Sequence, residues 1–298
     1  MRFRYALMIM MLTMSGAAAS LAFDWQSTSD HCIILDSPAD PLYRIILGYV
    51  PERNYGDYGK SDNLELAVDW EMAYFRNVAY SDVNVNLDLD TLILPDSTEL
   101  GLPGQLVHLS LDSLWTWRYA PGTAFQLDLR PGIYSDMEDL SFEMFQAPVS
   151  CRFIRAFHPW FSAYAGLDFR PGFDLPLVPL AGAKYEINEL LVFDGGWPQL
   201  ELTYYADGDW SVYAGFRWDN VSYDMHEESD CDREMITVED YRIYGGVSSR
   251  VTEEFQLIAE TGSVFGRSVE FERQSSDLDR DVEVGSTLFL RFGFSGTF

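Results

Sequence analysis

The chain has 298 residues, 47% hydrophobic and 15% aromatic, with 47 Asp and Glu against 20 Lys and Arg and a formal charge of −27. This acidic balance argues against nucleic acid and anionic lipid surfaces as partners, and 8 Trp with 17 Tyr argue against a disordered acidic chain. No linker rich in Pro, Gly or Ser divides it, so one all-β domain is expected.

At the N-terminus, Arg2 and Arg4 precede an apolar run from Tyr5 to Met14, followed by small residues at Ala17-Ala18-Ala19 and Ser20-Leu21-Ala22. The run is about ten residues, half of what a spanning helix needs. Residues 1–22 therefore read as a cleaved secretory signal and 23–41 as a periplasmic N-terminal segment.

From residue 42 to 298, apolar alternation predicts strands at 42–50, 62–75, 79–94, 104–118, 122–132, 146–155, 160–170, 177–185, 188–193, 198–206, 209–224, 236–250, 253–272 and 283–298. The count is about fourteen, with twelve as the alternative. Tight connections, such as Tyr119-Ala120-Pro121 and Glu186-Ile187, alternate with longer acidic ones, such as Pro51 to Ser61 and Met225 to Met235. Short turns on one rim and long loops on the other are the asymmetry of an up-and-down transmembrane barrel, with periplasmic turns and extracellular loops.

A period of two assigns the faces. Val83, Val85, Leu87 and Leu89 alternate with Asn84, Asn86, Asp88 and Asp90, while Phe125, Leu127 and Leu129 alternate with Gln126, Asp128 and Arg130. Trp210, Val212, Ala214, Phe216 and Trp218 take the lipid parity, leaving Tyr213, Arg217 and Asp219 inside. The inward set carries both signs of charge. Its candidate lumen cluster is Arg217, Asp240, Arg242, Glu260 and Arg291 together with Asp128, Arg130, Asp168 and Arg170, and Asp69, Glu71, Asp88, Asp90, Asp112 and Arg152 share the polar parity. The four residues of the C-terminal strands, Asp240, Arg242, Glu260 and Arg291, form its most compact part. Weak repeats run through the chain, D-L-R-P-G at 128–132 echoing D-F-R-P-G at 168–172.

Catalytic patterns are sparse, and no enzyme or cofactor is expected. His108, Ser110 and Asp112 alternate on one strand, but neighbours at i and i+2 stand about 6.5–7 Å apart, beyond the hydrogen-bond reach of a triad. Two loops hold metal-ligand types, His226 to Asp232 and the set Asp277, Asp279, Asp281 and Glu283. Neither has the register of a cation loop, so solvated acidic loops are expected and no metal. Cys32, Cys151 and Cys231 fall on a periplasmic segment, a strand and an opposite-rim loop, which leaves no pair to bridge.

The final strand reads V-G-S-T-L-F-L-R-F-G-F-S-G-T-F, with Leu288, Leu290, Phe292, Phe294 and Phe298 on one parity and Thr287, Arg291, Ser295 and Thr297 on the other. An alternating strand that stops on an aromatic resembles the closing strand of bacterial outer-membrane β-barrels. That resemblance implies an outer-membrane location, Phe298 as assembly signal, and outer-membrane lipid and the barrel assembly machinery as partners. W-S-V-Y-A-G at 210–215, E-D-Y-R-I-Y-G-G at 239–246, E-T-G-S-V-F-G-R-S-V-E-F at 260–271 and P-G-I-Y-S-D at 131–136 are similar to an uncharacterised family of barrel-like proteins of unknown function. The combined expectation is a porin-like channel for small cationic or neutral solutes with cation preference, set against a non-conducting structural or adhesive barrel whose lumen charges pair.

Overall fold

The computed structural model describes residues 43–54, 60–78, 81–93, 103–137, 144–206, 208–225, 234–273 and 280–297. The expected signal, the 23–41 segment, Cys32, Cys231, the loop 226–232, Asp277, Asp279 and Phe298 lie outside them. None of the described residues forms an α-helix; the chain is a closed antiparallel barrel of 14 staves in up-and-down order.

The staves are β1 (Tyr43–Asn54), β2 (Lys60–Val78), β3 (Ser81–Ile93), β4 (Gln105–Ala120), β5 (Thr123–Leu129 continued by Gly132–Ser135), β6 (Phe145–Gln146 continued by Val149–His158) and β7 (Phe161–Phe169). They continue with β8 (Leu177–Asn188), β9 (Leu191–Trp197), β10 (Gln199–Tyr205), β11 (Trp210–Met225), β12 (Glu234–Thr252), β13 (Phe255–Arg273) and β14 (Arg280–Val284 continued by Thr287–Gly296). The three interruptions keep register on both sides: β5 and β6 break at Pro131 and Pro148, which have no N–H to give the ladder. There Arg130 N donates to Pro148 O and Leu111 N to Pro131 O, each at 2.9 Å. Closure is made by β1, which pairs with β2 on one side and with β14 on the other, from Tyr43 opposite Gly296 to Tyr49 opposite Leu290.

Tight turns at Pro121-Gly122, Pro159-Trp160, Glu189-Leu190 and Glu253-Glu254 gather at one end, and most of the longer connections at the other. Two turns fall later than the alternation predicts. β8 runs on to Asn188, whose Oδ1 accepts from Leu190 N at 2.9 Å, and β12 runs on to Thr252, whose hydroxyl accepts from Glu254 N at 3.3 Å. In both, a side-chain turn closes the hairpin where apolar counting alone sees a strand end.

The outer surface carries large apolar side chains all round, among them Leu47, Tyr74, Phe153, Leu167, Val212, Ile243 and Phe292. Trp218 departs from its lipid assignment. It is buried, stacked on Trp197 with centroids 5.0 Å apart, and its Nε1 donates to Glu239 at 2.7 Å. The cause is local: β10 is only 7 residues long and pairs with β11 no further than Arg217. Beyond that point β11 leaves β10 behind, and Asp224 pairs in parallel with Ser135 of β5. The loop after β7 covers the gap, with Arg170 Nη1 donating to Asn220 O at 2.8 Å and Asp174 N to the Ser222 hydroxyl at 3.1 Å.

At the loop end, then, the described residues that enclose the interior belong to nine staves, β1 to β5 and β11 to β14. That makes a tube close to the roughly eight-strand width that side chains fill. Leu106, Tyr134, Tyr223, Ile236 and Val269 fill it, joined by Phe173 from the loop after β7, all of them buried. Among the described residues, this apolar cluster closes the loop end.

Candidate functional site: the charged lumen

Below the seal, inward side chains of β2, β11, β12, β13 and β14 form one ion-pair network. Its hub is Glu65, whose Oε2 accepts from Arg291 Nη2 at 2.7 Å and from Arg242 Nη1 at 3.0 Å, while Oε1 accepts from Arg242 Nη2 at 2.9 Å. Arg242 Nη2 also donates to Asp240 at 2.9 Å, and Arg217 Nε to Asp219 at 2.9 Å. Arg291 Nη1 reaches Glu260 at 3.5 Å. Arg242 and Arg291 both lie over the ring of the buried Phe289, 5.9 and 5.3 Å from its centroid. Buried charge survives only when paired, and this half of the lumen obeys that rule.

Arg267 completes the network with two short hydrogen bonds to Asp240. Its number parity places it on the lipid face with Leu257 and Thr261. A bulge at Gly266 (φ 58°) inserts one residue into β13 opposite Asp240 and turns Arg267 and Val269 inward. Left-handed φ is the glycine-favouring requirement of such a bulge. An isolated Gly inside the alternation, V-F-G-R, was the available sequence signal. Glu65 was missed too, although it shares the polar parity of Asp69.

The remaining four members of the expected cluster form a second network on β5 and β7. Asp168 is buried and accepts from Arg130 Nη2 at 2.5 Å and from Arg170 Nε at 2.6 Å, and Arg130 Nε lies 3.5 Å from Asp128. The two D-x-R-P-G echoes thus converge, each supplying its Arg to one carboxylate. The nine expected residues are brought together as two groups rather than one.

The wall built by β3 and β4 is different. Asp90 faces the interior opposite His108, yet its side chain is 53% exposed, with His108 Nδ1 3.9 Å away, and Asp88 makes no ion pair among the described residues. Asp88, Asp90 and His108 hold one ligand atom each within 4.8 Å of one another. Ser110 donates to Asp112, so the i, i+2 spacing does not by itself keep side chains out of hydrogen-bond reach; it is His108, stacked on Tyr134 at 4.3 Å, that leaves the three alternating residues of β4 without a triad. Asp88 and Asp90 line a cavity of about 300 Å³ that Arg44 and Arg217 also face, roofed by Leu92, Val221, Tyr223 and Val238. Cys151 is free.

The family model described as "Domain of unknown function (DUF6268)" matches residues 124–278. None of the curated proteins matches the sequence. Among solved structures, the monoaromatic hydrocarbon channel CymD is similar at 8% identity and a TM-score of 0.45, over 89% of this chain and 92% of that one. An outer-membrane channel from Pseudomonas putida F1 is similar at 11% identity and a TM-score of 0.39, over 86% and 98%. A BenF-like porin from Pseudomonas fluorescens Pf-5 is similar at 10% identity and a TM-score of 0.35, over 85% and 98%.

Proposed function

The chain belongs to the DUF6268 family, a domain of unknown function, and on that premise we propose that the protein is an outer-membrane channel for small solutes with cation preference. One observation carries the reading: Asp90 points into the barrel by register and is nonetheless 53% exposed, so the lumen beside it holds water rather than packed side chains. Asp88 and Asp90, which make no ion pair to a guanidinium among the described residues, concentrate cations on that wall. The apolar belt supports residence in lipid, since a closed barrel leaves no backbone edge unsatisfied there. In this reading the seal around Phe173 is the closed state of the loop-end mouth.

A non-conducting barrel is the second reading, favoured by the pairing of Arg242, Arg267 and Arg291 with Glu65, Asp240 and Glu260. Planar-bilayer recording of the refolded full chain under a KCl gradient separates the two. The channel reading expects discrete current steps and a reversal potential of cation sign. A barrel that inserts yet passes no current at any voltage overturns it in favour of the scaffold.

A further inference from the structure

The lumen cavity is not uniformly charged. Among the described residues, Asp88 and Asp90 on β3 make no ion pair to a guanidinium and Arg44 on β1 makes no ion pair, although all three face the same cavity. The other guanidiniums of the lining are each held by carboxylates. Arg242 is held by Glu65, Asp219 and Asp240, Arg267 by Asp240, Arg291 by Glu65, and Arg217 by Asp219. Asp69 stands between Arg44 and Asp88 in the cross-strand register. With strands about 4.8 Å apart, Arg44 and Asp88 start on the order of 10 Å from each other, within the span of a small molecule. Above them lies an apolar roof.

We infer that this cavity binds a small zwitterion with an apolar body, its ammonium on Asp88 and Asp90 and its carboxylate on Arg44. A simple cation would satisfy Asp88 and Asp90 and leave Arg44 without an anion, and a simple anion would do the reverse. A zwitterion completes both, and a guanidinium fork matches the planar carboxylate. The apolar body meets Val221, Val238 and the ring of Tyr223, surfaces that water solvates poorly. At about 300 Å³ the cavity lies at the lower end of small-molecule sites, which suits an amino-acid-sized ligand.

The inference deepens the channel reading by naming a solute class, and the test separates the two. Radiolabelled L-leucine is dialysed to equilibrium against the refolded full chain in detergent, with isopentylamine and 4-methylpentanoate as competitors that each keep one charge. Saturable leucine binding is expected, with each competitor at least ten-fold weaker than unlabelled leucine. D88N/D90N and, separately, R44Q should each weaken binding about ten-fold at unchanged heat-modifiable gel mobility. Competition by isopentylamine equal to that by leucine makes the wall a plain cation site and overturns the inference, as does equal competition by 4-methylpentanoate or the absence of saturable binding. Current without leucine binding ends the zwitterion site alone, whereas leucine binding without current ends the channel reading and leaves the site.

Discussion

Glu65 on β2 and Arg291 on β14 are hydrogen-bonded across the full width of β1, Nη2 to Oε2 at 2.7 Å, in the gap left by Gly48. A Cβ built at Gly48 stands 3.0 Å from Glu65 Oε2 and 3.1 Å from Arg291 Cγ. Gly48→Ala should be absorbed by small shifts of two long side chains, at a cost under about 1 kcal/mol. Gly48→Leu should part them and leave Glu65 with Arg242 alone, costing about 3 kcal/mol. Urea unfolding of the protein in lipid vesicles gives both values; equal costs for Ala and Leu would mean that the contact contributes nothing.

Carboxylates on the two walls should answer neutralisation in opposite ways. Asp240→Asn with Glu260→Gln removes partners from Arg242, Arg267 and Arg291 and should destabilise the barrel by about 3–5 kcal/mol. Asp88→Asn with Asp90→Asn breaks no ion pair to Arg and should leave stability within about 1 kcal/mol while lowering cation selectivity. Unfolding midpoints together with reversal potentials decide the matter, and a stable, fully folded D240N/E260Q protein would contradict the network.

Stave number, order and inward parity are all legible in the sequence, because a strand with one face in an apolar medium and one in a polar lumen must alternate without a slip. The two D-x-R-P-G echoes are legible for the same reason. Arg267 is not, since one inserted glycine reverses parity for the rest of β13. The burial of Trp218 is hidden as well: it depends on how short β10 is and on a loop folding back from β7, a tertiary fact with no local signature. Phe289 sits on the polar parity of β14, where it packs with Val50, Tyr244 and Val264 and carries the guanidiniums of Arg242 and Arg291 over its ring, a tertiary setting that local alternation does not show.

The outward face should be intolerant of charge. Val212 and Phe292 are 51% and 62% exposed on the belt, and Arg at either position should cost about 2–4 kcal/mol near the bilayer midplane. Gln126, inward on β5, should accept Glu for under about 1 kcal/mol beside the inward Arg152. A refolding titration that finds both faces equally sensitive would reverse the facing assignment.

The last prediction concerns the seal. Phe173 is the one member of the apolar cluster that comes from a connection rather than a barrel stave, and the loop holding it is tied down by Arg170 to Asn220 and by Asp174 to Ser222. Phe173→Ala removes a ring from a tube that has only side chains to close it, so water can enter where an apolar constriction had excluded it. Stave packing loses little, because Leu106, Ile236 and Val269 keep their contacts with one another across the lumen. Single-channel conductance should therefore rise severalfold in the variant, while heat-modifiable mobility stays that of the parent. Leu175→Ala, at an exposed position of the same loop, is the control and should leave conductance unchanged. If Phe173→Ala folds normally and conducts no better than the parent, the cluster is barrel core rather than a gate, and the paired lumen is the better description of the closed end.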